Sequence, residues 1–188
     1  MTEVERVSRR VAGFHDIRLD GMADLVVRAR GATVLDLGCN RGLVGFELAN
    51  NGAVRVHGCD IYAKGIETAR ELFADLRSVE SQFEVVDLAQ GPVSLEPFGK
   101  RPYDIVLMLA TYHKLKRIMP RTLLSELIRH LGWRTTRYFA WRGTSEQVAD
   151  NELEMVAIDR DLATHGLKRI HTSYISESLG VAAIWARV

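Results

Sequence analysis

Short aliphatic runs that alternate with helical patterns are the feature that most constrains the fold of this chain. Thr33–Leu37 (TVLDL) is rich in aliphatic and β-branched residues and runs into Gly38, which is typical of a buried strand. Tyr103–Leu109 (YDIVLML) is almost wholly apolar, as expected of a central strand covered on both faces. Because helical patterns separate such runs, crossover connections should join the strands and leave them mainly parallel.

The alternation extends along most of the chain and predicts seven strands, at Thr33–Leu37, Val54–Gly58, Phe83–Val86, Tyr103–Leu109, Thr135–Trp141, Lys168–Ile175 and Val181–Val188. The spacing of the last two, across SESLG, favours an antiparallel hairpin. We therefore predict an α/β fold, a Rossmann-like three-layer sandwich with a mostly parallel seven-stranded sheet and an antiparallel C-terminal hairpin. Ligands of such sheets bind beyond the carboxyl ends of the strands.

Helical spacing is found at Val4–Gly13, Asp20–Arg30, Leu43–Asn50, Ala63–Val79, Pro120–Leu131 and Glu146–His165. Ala89–Pro102 is rich in Gly and Pro and is predicted to be a loop. We expect residues 1–30 to form an N-terminal helical segment that acts as a lid or substrate cap, with His15 and Asp16 reaching over the site. Residues 31–188 should form the ligand-binding domain.

Charge and hydropathy exclude several classes of protein. The 25 Lys and Arg residues nearly balance the 24 Asp and Glu residues, so the net charge of +1 gives no bulk attraction for a polyanion. No apolar run approaches the roughly 20 residues of a membrane helix, and the start MTEVERVSRR lacks the apolar stretch of a secretory signal. Two cysteines, Cys39 and Cys59, are too few for a disulfide framework. We expect a cytoplasmic protein without a membrane partner.

The segment Asp36–Gly42 (DLGCNRG) joins the first strand to a helix through a turn that contains two glycines. Glycine at Gly38 and Gly42 would let a ligand approach the backbone N–H groups and the start of the helix closely. The alternative is a tight turn that binds nothing. A dinucleotide site requires G-x-G-x-x-G, whereas the glycines here stand at 38, 42 and 45, with Asn40 in the second glycine position. This spacing weakens a nicotinamide-cofactor interpretation.

An acidic residue also closes each of the next two strands. Asp60 follows the second strand, where a carboxylate can accept hydrogen bonds from both hydroxyls of a ribose. Asp87 follows the third strand, where it could accept a bond from an adenine amino group, with Ile61 and Leu88 covering the ring. Taken singly, each acid could equally be a helix cap or turn residue. Three acids in series favour a nucleoside-binding site.

Residues 33–113 resemble the class I S-adenosylmethionine (SAM)-dependent methyltransferases. The first motif of that family is similar to VLDLGCNRG, the second to GCDIYAKGIETAR, the third to FEVVDL and the fourth to YDIVLMLATYHKL. The resemblance implies a methyl transfer that uses SAM as cofactor. It also implies a sheet closed by antiparallel strands, which fits the predicted hairpin at 168–188.

The same resemblance implies which residues hold the cofactor. The methionine portion of SAM would lie against Asp36 and the turn residues Gly38, Cys39, Asn40 and Gly42. The ribose hydroxyls would lie at Asp60 and the adenine among Ile61, Asp87 and Leu88. The backbone of Leu109 and Ala110 would lie beside the methionine carboxylate and amine.

Catalytic candidates are sought after the fourth strand, which faces the methyl-transfer zone. Tyr112 and His113 lie there, and the ordinary pKa of histidine, near 6.5, suits a general base at neutral pH. The alternative is that Tyr112 packs over the cofactor and that His113 caps a helix or packs locally. Neither cysteine is placed as a nucleophile. No metal is expected, because the six histidines are scattered without the short spacing of a metal site.

The acceptor is expected to be a small molecule or an RNA nucleotide. A basic run could form a face for a phosphorylated or nucleic-acid substrate, or could simply be a solvated surface; it comprises Lys114, Lys116, Arg117, Arg121, Arg129, Arg134, Arg137 and Arg142. Two other functions are kept as alternatives: a nicotinamide-dependent oxidoreductase, and a SAM-binding module without catalysis.

Overall fold

The computed structural model describes residues 16–144, 148–176 and 180–188. The predicted helix Val4–Gly13 and the lid candidate His15 lie outside these residues. Within the described residues no helix has both the length and the apolar character needed to cross a bilayer.

Seven strands form one sheet in the order β3-β2-β1-β4-β5-β7-β6. They are β1 Thr33–Leu37, β2 Arg55–Asp60, β3 Glu80–Val85, β4 Tyr103–Leu109, β5 Thr135–Arg142, β6 Leu167–Ser176 and β7 Gly180–Arg187. The first five strands are parallel, whereas β7 runs antiparallel to both β5 and β6. The predicted fold class is therefore confirmed.

In the described ranges six α-helices flank the sheet: α1 Ala23–Val27, α2 Leu43–Asn50, α3 Ala63–Phe73, α4 Tyr112–Ile118, α5 Arg121–Arg134 and α6 Val148–Ala163. Two 3₁₀ segments lie at Ile17–Leu19 and Leu88–Phe98, the second interrupted at Gly91, where φ is 75°. The prediction that Ala89–Pro102 is simply a loop was therefore wrong, and α4 was not predicted.

The helix predicted at Ala63–Val79 was too long. It ends at Phe73 and not at Val79, because β3 begins at Glu80 to pair with the whole of β2. Glu80 anchors that start with two ion pairs, at 2.8 Å from Arg55 Nε and 2.6 Å from Arg101 Nη1. The pairing of β3 with β2 thus sets the end of this helix, which the local sequence pattern had placed too late.

The core consists of two apolar layers, one on each face of the sheet. Alternate residues of β4 enter opposite layers: Val106 and Met108 pack towards α5 and α6, while Ile105 and Leu107 pack towards α2 and α3. This is the two-sided burial predicted for that strand.

Residues before β1 belong to the second of these layers. Leu19, Met22, Leu25 and Ala29 are at most 1% exposed and pack in the same cluster as Val34 of β1. The described part of the predicted lid segment is therefore continuous with the core of the domain, while its role over the site stays a prediction.

Candidate functional site

The turns after β1 and β4 meet at the point where the strand order reverses. β1 lies between β2 and β4, so the connections leaving β1 and β4 diverge and open a crevice at their carboxyl ends. Thr111 closes the floor of this crevice: its hydroxyl lies 3.2 Å from the carbonyl of Leu37 and 3.1 Å from that of Leu109. A Cβ on Gly38 would lie 2.2 Å from Thr111 Oγ1, so only glycine allows this close contact.

The β1 turn has an unusual backbone. Gly38, Asn40 and Gly42 all have positive φ, at 76°, 51° and 74°, a region that glycine and asparagine tolerate best. The amides of Gly38 and Cys39 both donate to the carbonyl of Cys59, at 2.8 and 3.0 Å, which fixes the turn to β2. The turn therefore brings its backbone to the start of α2 at the carboxyl edge of the sheet, where ligands of such sheets bind.

Asp60 lies at the end of β2 and holds the neighbouring turn. Its Oδ2 accepts from the amide of Asn40 at 2.8 Å, and its Oδ1 accepts from the amide of Tyr62 at 2.9 Å. An ionised carboxylate has about four acceptor positions, so each oxygen retains a lone pair for a further donor. Its side chain is only partly buried. This geometry is suited to a pair of ribose hydroxyls.

Asp36 is the most perturbed acid of the site. It is 3% exposed, and its Oδ2 has no hydrogen-bond partner in the described residues. Burial raises the pKa of this carboxyl to about 7; the charge of Arg18 opposes the rise, while Asp16 and Asp60 add to it. A buried carboxyl with an unused oxygen is suited to a cationic ligand group.

Asp87 caps the 3₁₀ segment that follows β3. Its Oδ1 accepts from the amide of Ala89 at 2.9 Å, so the capping role weighed from sequence is present. The side chains around it differ in exposure: Ile61 is 68% exposed, whereas Leu88 is 5% exposed and packs in the core. Ile61 can therefore cover a ligand ring, but the Leu88 side chain is directed away from solvent.

The end of β4 contains a second non-glycine residue with positive φ. Ala110 has a φ of 52°, and its amide donates to the carbonyl of Arg142 at 3.0 Å. Leu109 is 6% exposed and packs in the layer of α2. A ligand in the crevice can therefore contact the backbone of Leu109 and Ala110, and not their side chains.

The two catalytic candidates have different environments. Tyr112 is 6% exposed and packs in the core beside Leu115, and burial raises its pKa to about 12. A phenol with that pKa stays protonated at neutral pH and is a poor base. His113 is half-buried on the first turn of α4, two residues after Thr111.

Neither cysteine has the properties of a nucleophile. Cys39 and Cys59 are both buried free thiols, and burial strongly raises the pKa of each. They pack on opposite faces of the sheet, Cys39 in the layer of α2 and Cys59 in the layer of α5. No group of three or more His, Cys, Asp or Glu in the described ranges could hold a metal ion.

Sequence reasoning missed the residues that fix the segment 16–20 at the carboxyl edge. The buried guanidinium of Arg142 donates to the carbonyl of Ile17 at 2.8 Å and to that of Asp20 at 2.7 Å. At the other end the amide of Asp16 bonds the carboxylate of Glu47. Arg18 pairs with Asp16 and is close enough to Asp36 to affect its pKa. Arg142 lies more than 100 residues from Ile17 and Asp20, and Glu47 lies 31 residues from Asp16, so no local signal marks these two contacts.

The basic run does not form a continuous face. Arg134 and Arg142 are buried and bond backbone carbonyls. Lys116 lies 3.4 Å from the carboxylate of Glu154, and Arg129 lies 3.4 Å from that of Asp161. Two of the eight cations are therefore buried in structural contacts, and the exposed side chains of Lys116 and Arg129 each pair with a buried acid.

This fold and crevice define a Rossmann-like nucleoside-binding protein. The family described as methyltransferase domain matches residues 34–132, which is more than half of the chain. The chain belongs to this methyltransferase family, whose cofactor is SAM, so the predicted membership of the class I SAM-dependent enzymes is confirmed.

Individual relatives agree with this assignment. The chain is similar to a ubiquinone biosynthesis O-methyltransferase of Neisseria meningitidis, with 40% identity in an alignment 87 positions long that covers 41% of this chain and 34% of the relative. The chain thus spans about a third of the length of that curated relative.

Two solved structures share the fold. Magnesium protoporphyrin IX methyltransferase from Synechocystis PCC 6803, crystallised with S-adenosylhomocysteine, has a TM-score of 0.63 and 21% identity, covering 98% of this chain and 94% of its own. A 16S rRNA methylase has a TM-score of 0.64 and 18% identity, covering 91% of this chain and 62% of its own. Such low identities establish the fold alone.

Proposed function

We propose that this chain transfers the methyl group of SAM to an oxygen atom of a small organic acceptor. The observation that carries the proposal is the convergence of Asp36, the Gly38–Gly42 turn, Asp60 and Asp87 on one edge of the sheet. SAM has a cationic amine, a ribose diol and an adenine amino group, and these acids offer one acceptor to each.

The cofactor residues proposed are those expected from the sequence, with one refinement. Asp36 and the backbone of the β1 turn would receive the methionine portion, Asp60 the ribose, and Ile61 with Asp87 the adenine. The half-exposed guanidinium of Arg18 is a suitable partner for the methionine carboxylate, because it lies beside Asp36 at the same edge.

Two observations favour an oxygen of a small molecule over RNA. The relative from Neisseria is by name an O-methyltransferase of ubiquinone biosynthesis. In addition, Arg134 and Arg142 are buried and bond backbone carbonyls, so these two cations of the basic run are withdrawn from any surface that an RNA would contact.

His113 is the proposed general base. Removing the proton of an acceptor hydroxyl in the transition state typically contributes about 10²–10⁴-fold to the rate. We expect His113→Ala to lower kcat by about that range and to remove the acid limb of the pH profile, while leaving SAM affinity unchanged. Lys114→Ala, an exposed neighbour on α4, is the control. Equal turnover of His113→Ala and Lys114→Ala would exclude this role.

Calorimetry and methyl transfer test the function itself. SAM and S-adenosylhomocysteine should bind the chain, and NAD should not. With radiolabelled SAM, label should pass to members of a panel of phenols, catechols and carboxylic acids, and not to total tRNA or rRNA offered in parallel. Transfer to RNA alone would refute the small-molecule acceptor, and binding of SAM with no transfer to either class would favour a module without catalysis.

A further inference from the structure

A cavity of about 360 Å³ lies on the face of the sheet beside α1, away from the carboxyl-edge crevice. Its walls come from α1, β5, β6 and β7, and none of Asp36, Asp60 or the β1-turn residues lines it. The imidazole Nε2 of His171 lies 2.8 Å from the carbonyl of Gly21, and both residues line the cavity. The cofactor assignment therefore does not account for this space.

The interior of the cavity is apolar. Met22, Leu25 and Ile184 line it and are at most 4% exposed, and the exposed Ile170 forms part of its rim. The volume falls in the range of about 300–1,000 Å³ that small-molecule sites occupy. An apolar body of ring size would thus bury one face against these side chains.

One basic side chain, Arg28, and one acidic side chain, Asp24, line the cavity one helical turn apart. Arg28 lines it, donates to the phenol of Tyr138 at 2.8 Å, and lies 5.3 Å from the centroid of that ring. The guanidinium of Arg137 lies 5.4 Å from the same centroid. Within the described part of the chain neither guanidinium has a carboxylate within 4.0 Å, although Asp24 also lines the cavity. Arg137 does not line the cavity and is close enough to Asp104 to lower the pKa of that carboxyl, so Arg28 is the guanidinium that an anion in the cavity could bond.

We propose that this cavity is a second binding site, for a small organic anion with an apolar ring or chain. The anionic group, a carboxylate or a sulfonate, bonds Arg28, since charge-assisted bonds to guanidinium are the strongest available there. The apolar body packs between Met22, Leu25 and Ile184. Tyr138 forms the boundary between the polar and apolar ends.

Fluorescence titration of the full chain tests the site, with excess S-adenosylhomocysteine present to occupy the crevice. The probes are anilinonaphthalene sulfonate and phenylnaphthylamine, which share their ring system but differ in the sulfonate. Both should bind saturably at one site. Arg28→Met should lower the affinity for anilinonaphthalene sulfonate about tenfold. The affinity for phenylnaphthylamine should be nearly unchanged, because that probe carries no charge.

Two further variants complete the test. Ala23→Phe, at an exposed lining position, should weaken both probes by filling the cavity. Arg30→Met, an exposed arginine of the same segment that does not line the cavity, should bind both probes like the parent chain. The proposal would be overturned if neither probe bound saturably. It would also be overturned if Arg28→Met and Arg30→Met lowered the affinity for anilinonaphthalene sulfonate equally. Thermal unfolding of each variant verifies that the fold is retained.

Discussion

Asp36 shows how a single side chain can prepare a site at a cost in stability. A carboxyl that is 3% exposed with an unused oxygen is easier to protonate than one in water, and its pKa of about 7 reflects that burial. In the unfolded chain the same group has a pKa near 3.8. A cationic ligand group beside it would restore the ionised form, so the same burial that penalises the empty protein favours a cation.

The first prediction concerns the pH dependence that Asp36 confers. Because its pKa is raised by folding, the stability it contributes is present below about pH 4 and is lost as the pH rises through about 7. Asp36→Asn should therefore gain stability relative to the parent chain between pH 4 and pH 8, on the order of 4 kcal/mol at most. Urea unfolding of both proteins at several pH values measures this difference. A constant difference across that range would show that Asp36 titrates normally.

The second prediction concerns Asp60. Asp60→Ala should weaken SAM binding by about 30-fold or more, since two hydrogen bonds to a charged group are lost. Calorimetry measures the affinity, and circular dichroism verifies the fold. Asp75→Ala, an exposed acid in the turn after α3, is the matched control and should bind as the parent does. Near-parental affinity of Asp60→Ala would contradict the ribose assignment.

At the scale of elements, the site depends on contacts between loops that are distant in sequence. Thr111 bonds the end of β1 to the end of β4, and Arg142 at the end of β5 holds the carbonyls of Ile17 and Asp20. The crevice is therefore bordered by segments whose positions are set at the same sheet edge. Removing one of these contacts should therefore change the hydrogen exchange of the neighbouring loop as well as that of the altered residue.

The third prediction concerns Arg142. Arg142→Met removes two charge-assisted bonds, each worth about 1.5–3 kcal/mol, and should release the segment 16–20 from the sheet edge. Hydrogen exchange of a peptide covering residues 16–25 should accelerate, and SAM affinity should fall because Arg18 is carried on that segment. Arg117→Met, an exposed residue of α4, should change neither measurement. Unchanged exchange in Arg142→Met would show that other contacts hold the segment.

At the scale of the whole molecule, the described residues before β1 are part of the folded core. Leu25 and Met22 pack with strand residues in the layer on the α2 face, so α1 and the sheet should unfold together. A lid that folded independently of the sheet would show a separate unfolding transition, or no cooperative unfolding transition at all.

The fourth prediction follows from that shared layer. Leu25→Ala should cost about 2–5 kcal/mol, as large-to-small changes in cores do, and should shift one cooperative transition. Val27→Ala, on the same helix but 77% exposed, should change stability by less than about 0.5 kcal/mol. Tryptophan fluorescence and circular dichroism should give coincident transitions; separate transitions would indicate that residues before β1 fold on their own.

The sequence by itself determined the strand pattern and the residues that close the strands. Apolar runs such as Tyr103–Leu109 and turns such as Gly38–Gly42 are local signals, because burial period and backbone φ depend on neighbouring residues. They were sufficient to predict the fold class and to choose Asp36, Asp60 and Asp87, three positions that the structure brings to one edge.

Only the tertiary structure decided what surrounds those residues. The end of α3 at Phe73 follows from strand pairing, the burial of Tyr112 follows from helix packing, and the fixing of segment 16–20 follows from Arg142. Each depends on a partner far along the chain. The identity of a charged or aromatic residue does not indicate whether its side chain is solvated or buried. That is the physical reason why the basic run could not be divided into surface and structural residues until the fold was known.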